Sequence, residues 1–444
     1  MSTDALFTEA FPIVITPDLG RALGFYRDIC GATVSYQFPP EGDPVYVGLD
    51  IGTSHIGIGL DPAVATGGPA VGRAHGPGRG PGRQPAHHHD EALTAVHHIP
   101  TLPRHPSHPL AWAPEEGLVA QNDPTPTAMR TAASALLQSL DDQQRDKASL
   151  TFSDEKMRRW IEYRPEPRPG ACLADLDLAG RKAAHRLLAT ALSPHAFAQA
   201  TTVMGLEEVL DHAEAGRRRR HSGDYWVAVF GDPVRDELWG WRFEGHHISV
   251  TMTLAADQIF PTPVFLGANP ARVLYGGRPV VRPLAPEEDL AFALLDALSP
   301  AARAAAVVAD AAPSDIRSGR RPRAEAGIAP PGVPSTRLGP GARGLLDQLV
   351  AVYLERLPAG LAAAEAARLS GQELHLAWEG APHPHAGHYY RIQGTDLLIE
   401  YDNTANDANH AHTVLRRPLS DFGGDVLAAH RSAARHPAGA PEGA

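Results

Sequence analysis

Alternation of apolar and polar positions is clearest at residues 388–412, HYYRIQGTDLLIEYDNTANDANHAH. Tyr389, Arg391 and Gln393 fall on one face of an extended segment and Tyr390 and Ile392 on the other, with Gly394-Thr395-Asp396 as the hairpin turn. Residues 397–401 form the return strand. Residues 402–409, DNTANDAN, are expected to be irregular, because each Asx side chain can bond its local backbone in place of a ladder partner. His410 and His412 follow directly. On an extended segment, positions i and i+2 project from one face, so these two imidazoles can converge on a single ion.

The same period recurs at residues 225–230, 237–243 and 247–254, and Glu244-Gly245 is expected to turn the second of these into the third. His246 and His247 then sit next to one another on a strand and point in opposite directions. His247, sharing a face with Ser249, Thr251 and Thr253, is the one expected to enter a common site. Helical spacing marks residues 132–140, 141–150, 173–192, 201–214, 287–298, 301–308, 345–357 and 361–369. Residues 311–340 are a Pro/Gly/Arg loop region, and Arg217 to Arg220 reads as a solvated run. These elements predict an α+β protein, mainly antiparallel sheet with helical cover.

Upstream, residues 8–62 carry a strand, a helix opened by Pro17-Asp18 and closed by Gly31, and three further strands. This β-α-β-β-β order, with PDLGRALGFYRDICGATVSY as its helix and second strand, resembles one half-module of the vicinal oxygen chelate superfamily, which includes glyoxalases and bleomycin-resistance proteins. A complete domain of that superfamily pairs two such modules around a metal or drug, so a homodimer is one form that would complete the cleft. His55 is the candidate ligand there. Residues 63–127 instead form a Gly-, Pro-, Arg- and His-rich stretch that includes His87, His88 and His89. It lacks apolar periodicity and is expected to be a disordered linker. Residues 128–430 return to the composition of a folded domain, and 431–444 read as a disordered tail.

Composition narrows the partners. A formal charge of -11 over 444 residues argues against nucleic acid and anionic membrane surfaces, both of which call for a basic face. Two cysteines, Cys30 and Cys172, exclude a disulfide scaffold and a thiolate zinc cluster and fit a reducing cytoplasm. No apolar run reaches the roughly 18 residues of a membrane span.

The segments WGWRFEGHHIS, PTPVFLGANPA, HYYRIQG, IEYDNTANDANHAH and DFGGDVL together resemble the bacterial domain-of-unknown-function family numbered 3500. That resemblance implies no activity, so the chemistry rests on the residues. His246, His247, His388, Asp402, His410 and His412 are the candidate metal ligands, and imidazole with carboxylate suits a divalent transition metal, Zn or Fe. Glu244, Tyr389, Arg391 and Asp407 are the candidate catalytic residues. Arg391 and Arg242 are positioned to hold a substrate anion, and Tyr389 or Tyr390 to orient it or pass a proton. An EF-hand fails, since from Asp402 the sixth position is Asp407 and the twelfth Thr413. Asp421-Phe422-Gly423 lacks the other kinase signatures. The expected function is a metal-dependent enzyme acting on a small, anionic organic substrate, with hydrolysis favoured over oxidation. The alternatives are a non-catalytic metal- or ligand-binding protein, or a resistance-type function of the N-terminal module.

Overall fold

The structure is a computed structural model of the whole chain, and it describes residues 13–16, 18–29, 31–39, 42–51, 54–60, 124–217 and 220–426. The chain separates into two compact units, residues 1–107 and 108–444. In the first, β1 (Ile13–Thr16), α1 (Leu19–Gly24), β2 (Thr33–Phe38), β3 (Tyr46–Ile51) and β4 (Ser54–Leu60) follow the expected β-α-β-β-β order. The sheet runs β1-β4-β3-β2, with β1 parallel to β4. Asp18 caps α1 by accepting from the Arg21 backbone N–H at 2.9 Å. Leu19, Val47, Leu49 and Ile58 form its core. The side chain of His55 and the histidines of residues 63–123 lie outside the described residues.

The second unit opens with α2 (Thr125–Ser139), α3 (Asp142–Ala148), β5 (Ser149–Leu150), α4 (Glu155–Arg158), β6 (Ala171–Cys172), α5 (Leu178–Ala191) and α6 (Pro194–Ala213). Helix α2 thus begins within the stretch expected to be linker. Strands β7 (Tyr225–Phe230), β8 (Leu238–Gly245), β9 (Ile248–Ala255), β10 (Gln258–Phe260) and β11 (Val264–Ala268) follow, then a small ribbon, β12 (Val273–Tyr275) and β13 (Arg278–Val281). A similar series comes next: α7 (Ala285–Ala297), α8 (Pro300–Ala306), β14 (Val307–Ala309), β15 (Val333–Pro334), α9 (Pro340–Leu354), α10 (Ala359–Leu369), β16 (His375–Gly380), β17 (His388–Gly394), β18 (Leu397–Ala405) and β19 (His410–Arg416).

The large sheet is ordered β14-β16-β17-β18-β19-β11-β9-β8-β7-β5 and reads the same from either edge. At one edge β14 is parallel and β15 antiparallel to β16, and at the other β5 is parallel and β6 antiparallel to β7. The two halves meet where β11 pairs antiparallel with β19. This internal repetition was not read from the sequence, although Arg242 and Arg391 mark it. Each lies opposite an alanine, Ala228 or Ala377, and each comes three residues before the glycine that ends its strand.

The two faces of the sheet differ. One carries Trp239, Trp241, Phe243, Val250, Met252, Leu266, Tyr390, Ile392 and Tyr401, and it packs with apolar residues of the helices in one core. Leu187 and Leu188 of α5 and Leu346 and Leu349 of α9 belong to that core. Aspartate, serine and proline start these helices, as at Asp177, which accepts from Gly180 N–H at 2.8 Å, and at Ser193-Pro194. The other face is polar and is still buried. Arg391 pairs with Glu379 at 2.7 Å and also donates to the Ile328 and Pro330 carbonyls. Arg242 pairs with Glu244 at 3.1 Å and donates to the Met157 carbonyl. Helix α4 ahead of β6 and the loop ahead of β15 therefore cover this face with backbone oxygens for the guanidinium groups.

Arg391 is consequently a structural ion-pair partner, and the expected role in holding substrate does not survive. Arg391→Ala removes one of two guanidinium partners of the buried Glu379, Arg317 remaining, so the expected loss of stability falls below the roughly 3–5 kcal/mol of a buried charge left unpaired. Chemical denaturation of the full chain measures it.

Candidate functional site

The hairpin between β8 and β9 turns at His246-His247, not at Glu244-Gly245, since Gly245 pairs with Ile248. His247 takes a left-handed φ of 64°, which an imidazole-bearing residue adopts more readily than a branched one. Its N–H donates to the Tyr163 carbonyl at 3.0 Å, and its own carbonyl accepts from Gly267 N–H at 2.8 Å. Both histidines thus sit at the end of the sheet, and the opposed orientation expected of neighbours on a strand does not arise.

Gly267 is the residue that brings the site together. It pairs with His412 across β11 and β19, and His412 pairs with Asp402 across β19 and β18. A Cβ at position 267 would lie 2.7 Å from His247 Cδ2, 3.1 Å from His412 Cδ2 and 2.8 Å from the Ala411 carbonyl. The missing side chain leaves the space in which rings from two strands meet. His410 Nε2 lies 2.7 Å from His247 Nε2 and 3.0 Å from His412 Nε2. His247 is fully buried, and His410 and His412 are half-buried.

These contacts cannot all be ordinary hydrogen bonds. His412 Nδ1 lies 2.7 Å from Asp315 Oδ1, so it carries the proton and leaves Nε2 as a lone pair. One proton on His410 Nε2 then faces two neighbouring nitrogens, while His247 Nδ1 is buried with no hydrogen-bond partner. Added protons are disfavoured. Burial, followed by repulsion from His412 whenever that ring is protonated, pushes His410 down to about 3, and burial also lowers His247 well below the usual histidine range. A tetrahedral ion with nitrogen ligands at about 2.0–2.1 Å has N–N edges of roughly 3.3 Å, so a small expansion of the triad accommodates one.

His246 belongs to a neighbouring group. Its Nδ1 lies 2.5 Å from Glu207 Oε1 and 3.1 Å from Arg220, and its ring lies over His247 at 3.7 Å with an interplanar angle of 34°. Glu207, His246 and His247 also come within ligand distance of one another. The triad is the better cation site, because stacked rings do not aim their lone pairs at one point and Arg220 already places a positive charge there. Arg220 is buried against Glu214 and Glu207, which corrects its reading as part of a solvated run.

The remaining candidates lie elsewhere. His388 is buried between Trp378 and Tyr401, stacked at 4.9 and 5.2 Å, with Nδ1 at 3.0 Å from the Ala386 carbonyl. It is a core residue, not a ligand. Tyr389 donates to Glu400 at 2.8 Å, and Tyr390 to the Glu287 carbonyl at 2.9 Å, both fully buried. Glu244 accepts from Ser249 at 2.6 Å and from the Glu162 N–H at 3.1 Å, enclosed beneath the loop. Asp407 is exposed in a turn where Asn406, Asp407 and Ala408 all have positive φ. Strand β18 runs through Ala405 with a register shift between Asp402 and Ala405, so the Asx-rich segment leaves the strand only at 406–409. Asp402 lies inside this strand, its Oδ1 accepting from Thr404 N–H and Oγ1 and its Oδ2 buried without a partner. Burial pushes its carboxyl up to about 6. It borders the triad without joining it.

Asp315, Tyr163, Gly267 and Glu207 were missed from the sequence. Asp315 and Tyr163 lie in Pro-rich loops that carry no period, and their approach to His412 depends on long-range folding.

Residues 122–424 match the family described as Protein of unknown function (DUF3500), and the chain belongs to it. No curated protein and no solved structure matches the chain. Among the described residues no helix is long and apolar enough to cross a membrane.

Gly267→Ala is expected to push the two rings apart and to cost about 1–3 kcal/mol through overpacking. A lower denaturation midpoint checks it. His388 gives a separate pH signature. Burial lowers its folded pKa, so below about 6.5 the unfolded chain takes up a proton that the folded chain refuses, and stability falls as pH falls. His388→Phe should remove up to about 1.4 kcal/mol per pH unit from that slope, as measured by denaturation between pH 7.5 and 5.5.

Proposed function

We propose that this protein is a metal-dependent enzyme in which His247, His410 and His412 hold a divalent transition metal and a small organic substrate reacts beside it. The observation that carries this reading is the convergence of three Nε2 atoms within 2.7 and 3.0 Å around His410. Three imidazoles with no carboxylate among them favour zinc over the two-histidine, one-carboxylate arrangement of oxygen-activating iron, and so favour hydrolysis over oxidation. A zinc ion with three protein ligands keeps a position for water, whose pKa it lowers to about 7. His410 and His412 are the half-buried members, which leaves solvent and substrate an approach from their side.

The preference for an anionic substrate cannot rest on Arg391 or Arg242, both enclosed. Arg272 is the better candidate. Its backbone N–H is bound by Asn409 Oδ1 at 2.8 Å, directly before His410, and its guanidinium reaches His385 at 3.0 Å. A non-catalytic metal-binding role would use the same triad, and turnover of ester, amide or phosphoester substrates by the metal-loaded protein separates the two. The β-α-β-β-β order of the N-terminal unit supports a further reading as a chelate-type half-module. Its test is divalent metal binding that persists in His410→Ala.

Elemental analysis of the untagged full chain tests the main reading. The expected result is one equivalent of transition metal lost in His410→Ala and in His412→Ala and kept in His388→Ala. No metal in the wild type after reconstitution, or equal retention in all three variants, would overturn it.

A further inference from the structure

We propose that Asp315 and Tyr163 are positioning residues that hold His412 as the Nδ1–H tautomer and so present its Nε2 lone pair to the metal. This deepens the reading of the triad as a metal site and rests on it.

The pair is built from both halves of the large unit. Tyr163 precedes β6 and Asp315 follows β14. Tyr163 OH donates to Asp315 Oδ2 at 2.8 Å, while Asp315 Oδ1 accepts from the Ile316 N–H at 2.7 Å and from His412 Nδ1 at 2.7 Å. The phenol ring is itself fixed. It stacks on Phe265 at 4.0 Å with an interplanar angle of 7° and meets the His412 ring edge-on at 5.0 Å. Its backbone carbonyl takes the His247 N–H, so one residue braces two members of the triad.

The chemistry of the pair differs from that of the arginine-paired carboxylates of this protein. Glu244, Glu287, Glu365, Glu379 and Asp421 each lie against an arginine, at 2.7 to 3.1 Å. Asp315 is answered by an imidazole and a phenol. A carboxylate on the far nitrogen of a metal-binding histidine fixes the tautomer and raises ligand basicity, and its loss typically weakens metal binding 10–100-fold.

The test uses the full chain labelled with ¹⁵N-histidine. In the metal-free protein, His412 is expected as the Nδ1–H tautomer, shifting toward Nε2–H in Asp315→Asn. Titration with Zn²⁺ alone should give affinity about 10–100-fold weaker in Asp315→Asn, and a smaller loss in Tyr163→Phe. If Asp315→Asn does not fold, Tyr163→Phe carries the same two readouts. An Nε2–H tautomer in the wild type, or variants that keep both tautomer and affinity, would overturn the proposal. Failure of the wild type to bind Zn²⁺ would instead remove the metal reading, and the tautomer measured without metal distinguishes the two failures.

Discussion

The antiparallel pairing of β11 with β19 is the constraint on which the rest depends. It joins the two halves of the large sheet, and it sets Gly267 opposite His412. With the β8–β9 turn hydrogen-bonded to Gly267, a row is formed that runs His247, Gly267, His412, Asp402 across neighbouring segments. A glycine in a strand interior ordinarily weakens it, and here it supplies the space that two imidazoles occupy. A one-residue slip would turn His412 and His410 to the apolar face.

The repeated halves make the site visible as a departure from the pattern. Both β8–β9 and β17–β18 are hairpins with two-residue turns, His246-His247 in the first and Thr395-Asp396 in the second. In the second, Asp396 closes the sheet end by accepting from Arg417 at 2.8 Å, Leu419 N–H at 2.8 Å and Ser420 at 2.7 Å. In the first, the corresponding place holds His246 and His247, and His247 Nε2 faces His410 Nε2 of β19 at 2.7 Å. Arg391 and Arg242 elsewhere in the sheet are each matched by a carboxylate, whereas the triad gathers imidazole nitrogens around His410. That contrast favours a ligand site over another polar seal.

Much of this was legible in the sequence, because local period and local chemistry carried it. The hairpin at Gly394-Thr395-Asp396, the division of Tyr389 and Arg391 from Tyr390 and Ile392 and the shared face of His410 and His412 follow from a period of two. His247, by contrast, stands beside His410 because it lies in a turn and not by the strand alternation expected of it. The mistaken assignments have one physical source. His388, Tyr389, Arg391 and Glu244 have the right chemistry and lie near the right residues in sequence, but a side chain's partners depend on what covers the sheet. Loops without periodicity bring that cover. Asp315 and Tyr163, far from His412 along the chain, could not be placed for the same reason. The Glu244-Gly245 turn was misplaced because a Gly-containing dipeptide outweighed His-His, although His247 adopts the left-handed conformation that the turn requires.

The most direct measurement of the central claim is X-ray absorption at the metal edge on the purified full chain. A first shell containing three imidazole nitrogens at about 2.0–2.1 Å, reduced in His410→Ala, is the result this account requires. An oxygen-only shell, or a nitrogen shell unchanged in that variant, would contradict it.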